Sequence, residues 1–319
     1  MRIVIAGAGA FGTALAIALR TGGADVTLLG RSTDQMDAIR HLGENPRLPR
    51  CPIPARLPLT ADPDDLDAAD CVLLAVPAQS LAEYLHRHRG RLARKPLVAC
   101  CKGIDLDSLE GPTGIIARAT EGQPAILTGP SFAADIARGL PTALTLAAED
   151  DTLGARLQDA LSTPVLRLYR STDPLGAELG GALKNVIAIA CGAAIGAGLG
   201  DSARAALMTR GFAELTRIAT RLGARAETLT GLSGLGDLAL TCTSDLSRNY
   251  RYGLALGKGG SLAEGVTVEG RATAQAMARL AARMGEDLPV VAAVDALVEG
   301  RITVAQALDR LLARPLRAE

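Results

Sequence analysis

The stretch RIVIAGAGAFGTALAIALR, residues 2–20, constrains the fold of this chain more than any other part of the sequence. A short apolar run typical of a strand leads directly into three glycines, and helical spacing follows them. Gly7 permits a tight turn, Gly9 lets the backbone approach a diphosphate, and Gly12 lets the helix pack closely on the strand. The order of strand, glycines and helix therefore predicts a dinucleotide-binding unit with an anion at the helix N-terminus.

Six further apolar runs in the first half predict strands, and several of them are apolar on both faces. They are residues 25–29, 71–76, 96–101, 125–128, 142–147 and 165–169. Strands that are buried on both faces indicate a parallel sheet covered by helices. Beyond Ser171 only helical spacing recurs. The sequence thus predicts an α/β fold, with a doubly wound Rossmann domain over 1–172 and an all-α domain over 173–319.

Charge and cysteine usage narrow the range of partners. The 319 residues contain 34 basic and 34 acidic side chains, so no net charge attracts nucleic acid or an anionic membrane, and neither is expected as a partner. The six cysteines lack CxxC spacing and the first residues lead straight into a strand, which favours the cytoplasm and reduced thiols. The three histidines all lie in the first half, so neither histidine catalysis nor a metal site is expected.

The end of the second strand bears on the choice of nucleotide. Arg31 and Ser32 stand where a carboxylate would hold the ribose hydroxyls of NAD. A guanidinium instead suits a 2′-phosphate, so NADP is favoured over NAD as the cofactor. The alternative is that Arg31 is an ordinary surface cation, while Ser32 and Gln35 form a capping box.

An apolar run at 177–198 contains one lysine, Lys184, followed by Asn185. Both would be costly in lipid, so a membrane span is not expected. Only four of the 34 basic residues are lysines, and lysine, unlike arginine, can give up its proton. We therefore predict that Lys184 is a general base, with burial lowering its pKa and a carboxylate such as Asp237 opposing that shift. The alternative is a structural lysine that pairs with Glu178 or reaches solvent.

Polar groups elsewhere predict a site for a phosphorylated compound. Lys102 follows a strand at the sheet edge where ligands bind. Asp237 supplies a carboxylate, and Ser247, Arg248 and Asn249 are consecutive hydrogen-bond donors suited to a phosphate. Each residue alone could be a helix cap or a surface side chain, but together they indicate a grip on a phosphorylated hydroxy compound.

At these residues the sequence resembles the bacterial NAD(P)-dependent glycerol-3-phosphate dehydrogenases. The matching stretches extend over most of the chain and are GAGAFGTALA, CKGID, GPSFAADIARGLPTA, LGGALKNVIAIACG, GLSGLGDLALTCTS, SRNYRYG and VEG. The resemblance implies interconversion of sn-glycerol 3-phosphate and dihydroxyacetone phosphate for phospholipid synthesis. It also implies a second domain similar to the C-terminal domain of 6-phosphogluconate dehydrogenase, and a homodimer. Two departures are Leu29, where many members carry tryptophan, and Thr267, which is often valine.

The resemblance also implies roles for individual residues. Lys184 matches the proton acceptor, and Asp237 orients it. The implied substrate contacts are Lys102, Gly129, Ser131, Asn185, Thr241, Ser247, Arg248 and Asn249. The implied cofactor contacts, beyond Gly7, Gly9 and Gly12, are Ala10, Phe11, Arg31, Lys102, Ala133, Arg248 and Glu269.

Two other functions fit part of the pattern. A hydroxyacid or ketopantoate-type reductase would share the Rossmann half and a helix lysine followed by asparagine, but would not need the SRN sequence as a phosphate grip. A non-catalytic dinucleotide sensor would keep the fold without chemistry, but it would not need Lys184, Asp237 and Arg248 together.

Overall fold

A single sheet of eight strands organises the first half of the chain in the computed structural model, which describes residues 1–260 and 267–313. The strands in chain order are β1 Arg2–Ala6, β2 Asp25–Leu29, β3 Glu44–Asn45, β4 Leu48–Pro52, β5 Leu59–Thr60, β6 Cys71–Leu74, β7 Pro96–Ala99, β8 Gln123–Thr128, β9 Thr142–Ala147 and β10 Leu166–Ser171. The sheet order is β10-β9-β8-β7-β6-β1-β2-β5, and β3 and β4 form a separate hairpin. All seven predicted strands are present.

The helices alternate with the strands in the first half and follow one another in the second. They are α1 Ala10–Thr21, α2 Thr33–Leu42, α3 Leu81–Arg87, α4 Arg89–Leu92, α5 Pro112–Ala119, α6 Ala133–Ala137, α7 Asp151–Leu161, α8 Pro174–Gly196, α9 Gly200–Arg221, α10 Ala226–Thr230, α11 Asp237–Cys242, α12 Arg248–Gly257, α13 Glu269–Met284, α14 Pro289–Val298 and α15 Val304–Leu312. Short 3-10 turns occupy Pro63–Leu66 and Ala78–Ser80, and a π-helical turn occupies Leu232–Gly236. The predicted fold class, a Rossmann sheet followed by a helical part, is confirmed.

The chain divides into two units. The sheet unit comprises Met1–Lys102 and Glu110–Glu178, and the helical unit comprises Gly103–Leu109 and the described residues from Leu179 onward. The division therefore falls within α8. The domain boundary between 172 and 173 stays a prediction, and residues 261–266 and 314–319 of the predicted second domain lie outside the described part of the chain.

The apolar runs predicted a parallel sheet, and this prediction is wrong for one pair of strands. The strands from β8 to β5 are parallel to their neighbours, but β9 runs antiparallel to β8, and β10 follows the direction of β9. Apolar residues on both faces report that a strand is covered on both sides, and they carry no information about its direction. Strand order reverses at β1, between β2 and β6, which is where ligands bind in sheets of this kind.

Both faces of the sheet are buried in separate apolar clusters. Along β1, Ile3 and Ile5 belong to one cluster, whereas Val4 and Ala6 belong to the other. The first cluster includes α1, whose residues from Gly12 to Leu19 are all buried. Successive residues of a strand point to opposite faces, so the double burial explains why β1 reads as a continuous apolar run.

The helix α8 is long and apolar enough to span a membrane by length and composition alone. Its 23 residues have a mean hydropathy of 1.5 over the most apolar 18-residue window, and 89% of that window is buried inside the protein. Core helices of soluble proteins have the same character. In this protein the apolar surface of α8 is covered by protein.

Glycines bring α8 into backbone contact with α12. A Cβ atom on Gly192 or Gly196 of α8 would overlap the carbonyl oxygen of Tyr250 or Leu254, and a Cβ on Gly253 or Gly257 of α12 would overlap a carbonyl oxygen of α8 in turn. Side chains at these positions would force the helix axes apart. The glycines of the 177–198 run therefore serve close helix packing.

A buried carboxylate holds the start of α14. Glu214 of α9 is 6% exposed and accepts hydrogen bonds from the backbone N–H groups of Val290, at 2.8 and 3.0 Å, and Val291, at 3.3 Å. No side chain caps α14 at Leu288, so Glu214 satisfies donors that the helix leaves unpaired. Burial raises the pKa of the Glu214 carboxyl to about 7, although the backbone donors oppose the shift.

We expect Gly253→Ala to lower the free energy of unfolding by about 3 kcal/mol, because a Cβ there overlaps the Ile189 carbonyl and forces the helices apart. The matched control is Gly154→Ala in α7, where the nearest heavy atom to the added Cβ is 3.8 Å away. That change should stabilise by about 0.5–1 kcal/mol, because alanine is the better helix former. Calorimetric unfolding of both variants checks the pair, and equal effects would contradict the close crossing.

Glu214 should make stability depend on pH. Its folded pKa lies above the ordinary value of 4.5, so the folded state binds more protons and the free energy of unfolding falls as pH rises from about 4.5 to 7. In Glu214→Gln that contribution, about 1–3 kcal/mol in all, should be absent. Melting temperatures of wild type and variant across this range test the prediction, with Glu83→Gln, on a surface side chain that is 71% exposed, as the control. Parallel curves for wild type and Glu214→Gln would refute it.

Candidate active site

The glycine-rich turn after β1 forms a cradle that a side chain would fill. Gly7 has a φ of +115°, and a Cβ on it would lie 2.6 Å from the Ala75 carbonyl oxygen. A Cβ on Gly12 would overlap the Gly7 carbonyl oxygen. By contrast, a Cβ added to Gly9 would meet no heavy atom within 4 Å. Gly9 is also the N-cap of α1, and no side chain caps the helix there. The turn therefore fits a dinucleotide diphosphate, with the open side at Gly9.

Three other predicted cofactor residues of the sheet unit lie in the first turn of a helix. Ala10 and Phe11 are the first residues of α1, and Ala133 is the first residue of α6; all three pack half-buried against the apolar cluster beneath the glycine-rich turn. Helices α1 and α6 are in contact. The structure thus brings these residues together.

Arg31 lies exposed just beyond β2, at the entry to α2. Ser32 caps α2 by accepting a hydrogen bond from the Gln35 N–H at 3.3 Å. The second hydrogen bond of the predicted capping box is replaced by another. Gln35 Oε1 accepts from the Arg31 N–H, at 3.4 Å, and not from the Ser32 N–H. The guanidinium is left on the surface, so the capping role of Ser32 and a nucleotide role for Arg31 are compatible.

A third group of predicted residues meets at the carbonyl oxygen of Gly129. Lys102 Nζ donates to this oxygen at 3.0 Å, and Ser131 Oγ donates to it at 3.2 Å. Gly129 has a φ of +139°, a conformation that glycine adopts readily. The turn after β8 therefore holds the ammonium of Lys102 and the hydroxyl of Ser131 close together.

Lys184 is buried in the middle of α8 and pairs with two side chains of α11. Its Nζ lies 2.6 Å from Asp237 Oδ1 and donates to Thr241 Oγ1 at 2.7 Å, and the Thr241 hydroxyl donates to Asp237 Oδ1 at 3.2 Å. Lys184 is 6% exposed and Asp237 is fully buried. The expected Lys184–Asp237 pairing is thus present in the structure, whereas the alternative partner, Glu178, instead accepts hydrogen bonds from Thr113.

The glycines of the GLSGLG segment bring backbone close to other backbone. A Cβ on Gly180 of α8 would lie 2.7 Å from the Ser233 carbonyl oxygen, and a Cβ on Gly234 would overlap the Leu229 carbonyl oxygen. The π-helical turn therefore packs tightly against α8 and α10. This packing accounts for Gly180 and Gly234, and Asp237 follows the turn at the start of α11.

The predicted phosphate grip lies at the N-terminus of α12. Ser247 caps this helix by accepting from the Tyr250 N–H at 3.2 Å, and Arg248 is its exposed first residue. Asn249 is buried, and its Oδ1 accepts from the Gly270 N–H at 3.0 Å. This contact assigns Oδ1 as the acceptor, and the amide Nδ2 of the same side chain is a donor of the kind that an anion site uses.

Asn185 and Glu269 lie close to this grip. A Cβ on Gly270, the second residue of α13, would lie 2.8 Å from the Asn185 carbonyl oxygen and 2.7 Å from Asn249 Oδ1. Glu269, the first residue of α13, is half-buried. The structure therefore gathers Asn185, Asn249 and Glu269 around one glycine.

The thiols near this cluster are poor candidates for acid–base chemistry. Burial raises the pKa of Cys242, which adjoins Thr241, and a hydrogen bond with Cys191 raises it further. All six cysteines are buried, and none of them forms a disulfide. Within residues 1–260 and 267–313, no group of three or more His, Cys, Asp or Glu side chains is placed to hold a metal ion.

Sequence reasoning missed one buried polar residue beside the glycine-rich turn. Asn45 of β3 is 1% exposed and donates to both the Ala8 carbonyl and the Thr13 hydroxyl. It lies in a two-residue strand that no periodicity marks. An asparagine directly before Pro46 and two residues after Gly43 is typical of a turn, so only the fold reveals its role.

Comparison with known proteins decides the family. The sequence matches the N-terminal part of the NAD-dependent glycerol-3-phosphate dehydrogenases over residues 2–154 and their C-terminal part over residues 173–309. The chain belongs to this family. It is 61% identical to the glycerol-3-phosphate dehydrogenase [NAD(P)+] of Cereibacter sphaeroides, over 99% of this chain and all of that protein, and 59% identical to that of Paracoccus denitrificans, over the whole of both chains.

A solved structure agrees with this family assignment. The crystal structure of glycerol-3-phosphate dehydrogenase from Coxiella burnetii superposes with a TM-score of 0.92 and 35% identity, covering 98% of this chain and 99% of the other. The resemblance drawn from the glycine-rich turn, Lys184 and the SRN sequence is thereby confirmed at the level of family and fold. The roles of the individual residues stay predictions.

We expect Asp237→Asn to lower the free energy of unfolding by about 3–5 kcal/mol, because it leaves the Lys184 ammonium buried without its counter-charge. Thr241→Val, which removes only a neutral hydrogen-bond partner, should cost about 1 kcal/mol. The double variant Lys184→Met/Asp237→Leu should recover most of the stability lost in Asp237→Asn. Urea unfolding measures all three, and an Asp237→Asn variant no weaker than Thr241→Val would contradict the charge pairing.

Proposed function

We propose that this chain catalyses the reversible conversion of sn-glycerol 3-phosphate to dihydroxyacetone phosphate with NAD(P) as cofactor. The observation that carries the proposal is the buried Lys184–Asp237–Thr241 cluster in a chain that matches this family in both its parts. Such a cluster provides a proton-transfer group within an apolar helix, which a nucleotide sensor would not need.

Lys184 acts as the proton-transfer residue. In the oxidation, the free amine accepts the proton of the C2 hydroxyl while the C2–H bond breaks; in the reduction, the ammonium returns that proton to the forming alkoxide. The ammonium has three N–H groups, and two face Asp237 and Thr241. These two contacts fix the direction in which the Lys184 amine faces the substrate oxygen. The bound nicotinamide supplies the hydride acceptor or donor at its C4.

The phosphate of the substrate is held by Ser247, Arg248 and Asn249 at the start of α12. An exposed guanidinium and an oriented amide provide charge-assisted hydrogen bonds, and the helix N-terminus favours an anion. Binding energy from the phosphate, which does not react, then fixes the position of C2. Lys102, Gly129, Ser131 and Asn185 complete the substrate contacts.

The cofactor is bound by the glycine-rich turn and the residues beside it. Gly7, Gly9 and Gly12 shape the turn, and its backbone accommodates the diphosphate. Ala10, Phe11, Ala133 and Glu269 pack along the nucleotide, and Lys102 and Arg248 contact both ligands. Arg31 binds the 2′-phosphate, so NADPH is preferred to NADH.

The cellular setting follows from the same chemistry. Glycerol 3-phosphate is the backbone from which phospholipids are built, and the enzyme supplies it. Six buried cysteines that form no disulfide suit a reducing compartment, so the site of action is the cytoplasm. The enzyme works as a homodimer, the commonest assembly of soluble proteins.

The first test is oxidation of NADPH and of NADH by dihydroxyacetone phosphate. Rapid turnover with NADPH and slower turnover with NADH is the expected result, and Arg31→Ala should reduce the difference. Lys184→Ala should lower kcat by about 10³-fold or more with little change in NADPH affinity. Arg248→Ala should mainly raise the KM for dihydroxyacetone phosphate, by about tenfold to a hundredfold.

These variants separate the possible outcomes. Glu83→Gln, a surface change, serves as the control. Near-normal turnover in Lys184→Ala would show that Lys184 is not the general base. An unchanged KM in Arg248→Ala would show that Arg248 does not hold the phosphate. A folded wild type that binds NADPH but never oxidises it with dihydroxyacetone phosphate would refute the reaction.

A further inference from the structure

One carbonyl oxygen in the glycine-rich turn accepts two side-chain amides. Ala8 lies between Gly7 and Gly9, and its oxygen accepts from Asn45 Nδ2 and from Gln35 Nε2, each at 3.1 Å. The donors come from different elements, the β3–β4 hairpin and α2. Two donors on one carbonyl restrain its direction more strongly than one.

The orientation of the Asn45 amide is fixed by its own partners. Its Nδ2 also donates to Thr13 Oγ1 at 2.7 Å, and its Oδ1 accepts from the Arg47 N–H at 3.0 Å. Since Arg47 can only donate there, Oδ1 must face it and Nδ2 must face Ala8. With 1% of its surface exposed, Asn45 is locked in this orientation.

The held carbonyl sets the direction of the next N–H group. In a trans peptide the C=O and N–H bonds point in opposite directions, and the Ala8–Gly9 peptide is trans. The Gly9 N–H therefore points away from Asn45 and Gln35. It donates to no other residue in the described part of the chain, and a Cβ on Gly9 would meet nothing within 4 Å.

Gln35 connects the turn to the predicted 2′-phosphate residue. Its Nε2 donates to Ala8, and its Oε1 accepts from the Arg31 N–H at 3.4 Å. The same side chain thus links the glycine-rich turn with the backbone of Arg31. Among the described residues, Gln35 alone of the two amides is linked to Arg31, whereas both amides hold the Ala8 carbonyl.

We propose that Asn45 and Gln35 are positioning residues of the nucleotide site, which hold the Ala8–Gly9 peptide so that its N–H faces a diphosphate oxygen. Gln35 in addition steadies Arg31 for the 2′-phosphate. The inference rests on the nucleotide site of the proposed function. A preoriented N–H donor binds an anion without the cost of ordering the turn on binding.

The test is direct binding of three probes to wild type, Asn45→Leu, Gln35→Met and Thr13→Val. All the replacements are neutral, so added charge does not affect the comparison. The chain has no tryptophan, so NADPH binding is followed by the fluorescence of NADPH itself. Adenosine diphosphate, which has a diphosphate only, and adenosine 2′-monophosphate, which has a 2′-phosphate only, are measured as competitors.

Asn45→Leu should raise the Kd of NADPH and of adenosine diphosphate about tenfold, and leave adenosine 2′-monophosphate within about twofold. Gln35→Met should weaken all three probes. Thr13→Val removes the other partner of Asn45 without touching Ala8, and should leave every Kd within about twofold. The control Thr13→Val should also keep the KM for dihydroxyacetone phosphate and kcat near wild type.

Several results would overturn the inference. Folded Asn45→Leu and Gln35→Met that bind NADPH as wild type does would refute it, and so would a Thr13→Val that weakens binding as much as Asn45→Leu. If Asn45→Leu does not fold, the half-buried surface residue Gln35 decides alone. If the variants bind NADPH more weakly but the wild type does not reduce dihydroxyacetone phosphate, the inference holds and the proposed reaction is wrong. If the wild type reduces dihydroxyacetone phosphate but the variants bind NADPH as the wild type does, the reaction holds and the inference is wrong.

Discussion

The buried ammonium of Lys184 is the charge in the helical unit that must be paired for the structure to be stable. An ammonium in the middle of an apolar helix is strongly unfavourable unless a counter-charge and hydrogen-bond partners reach it. Asp237 and Thr241 do so from α11, and they can approach because Gly180 and Gly234 let the π-helical turn lie directly against its neighbours. The two glycines and the short helix α11 together bring the partners of Lys184 to it.

Much of the fold was predictable because it depends on local pattern. The strand–glycine–helix order at Gly7, Gly9 and Gly12 has a steric meaning for each glycine, and the structure bears out the crowding at Gly7 and Gly12 and the opening at Gly9. The Lys184–Asp237 pairing was predictable because a buried cation requires a carboxylate, and the sequence offers one among polar residues of the same half.

What could not be predicted depends on pairing at a distance. The direction of β9 is decided by the path of the chain after β8 and leaves no trace in the composition of either strand. The close contact of Gly234 with the backbone of α10 was not predictable either, because glycine permits close approach of any partner and does not indicate which one. No pattern in the neighbouring sequence marks Asn45, because its hydrogen-bond partner, the Ala8 carbonyl, lies 37 residues earlier in the chain.

The glycine contacts between α8 and α12 have a consequence for the size of substrate that the helical unit can accept. Lys184 lies on α8, and Arg248 and Asn249 begin α12. Because the two helices meet through backbone at Gly192, Gly196, Gly253 and Gly257, neither can slide or rotate to lengthen the gap between the amine and the phosphate grip. With the proposed roles of Lys184, Arg248 and Asn249, main-chain contact would set the number of carbon atoms between the hydroxyl and the phosphate of the substrate, and repacking of neighbouring apolar side chains would leave that number unchanged.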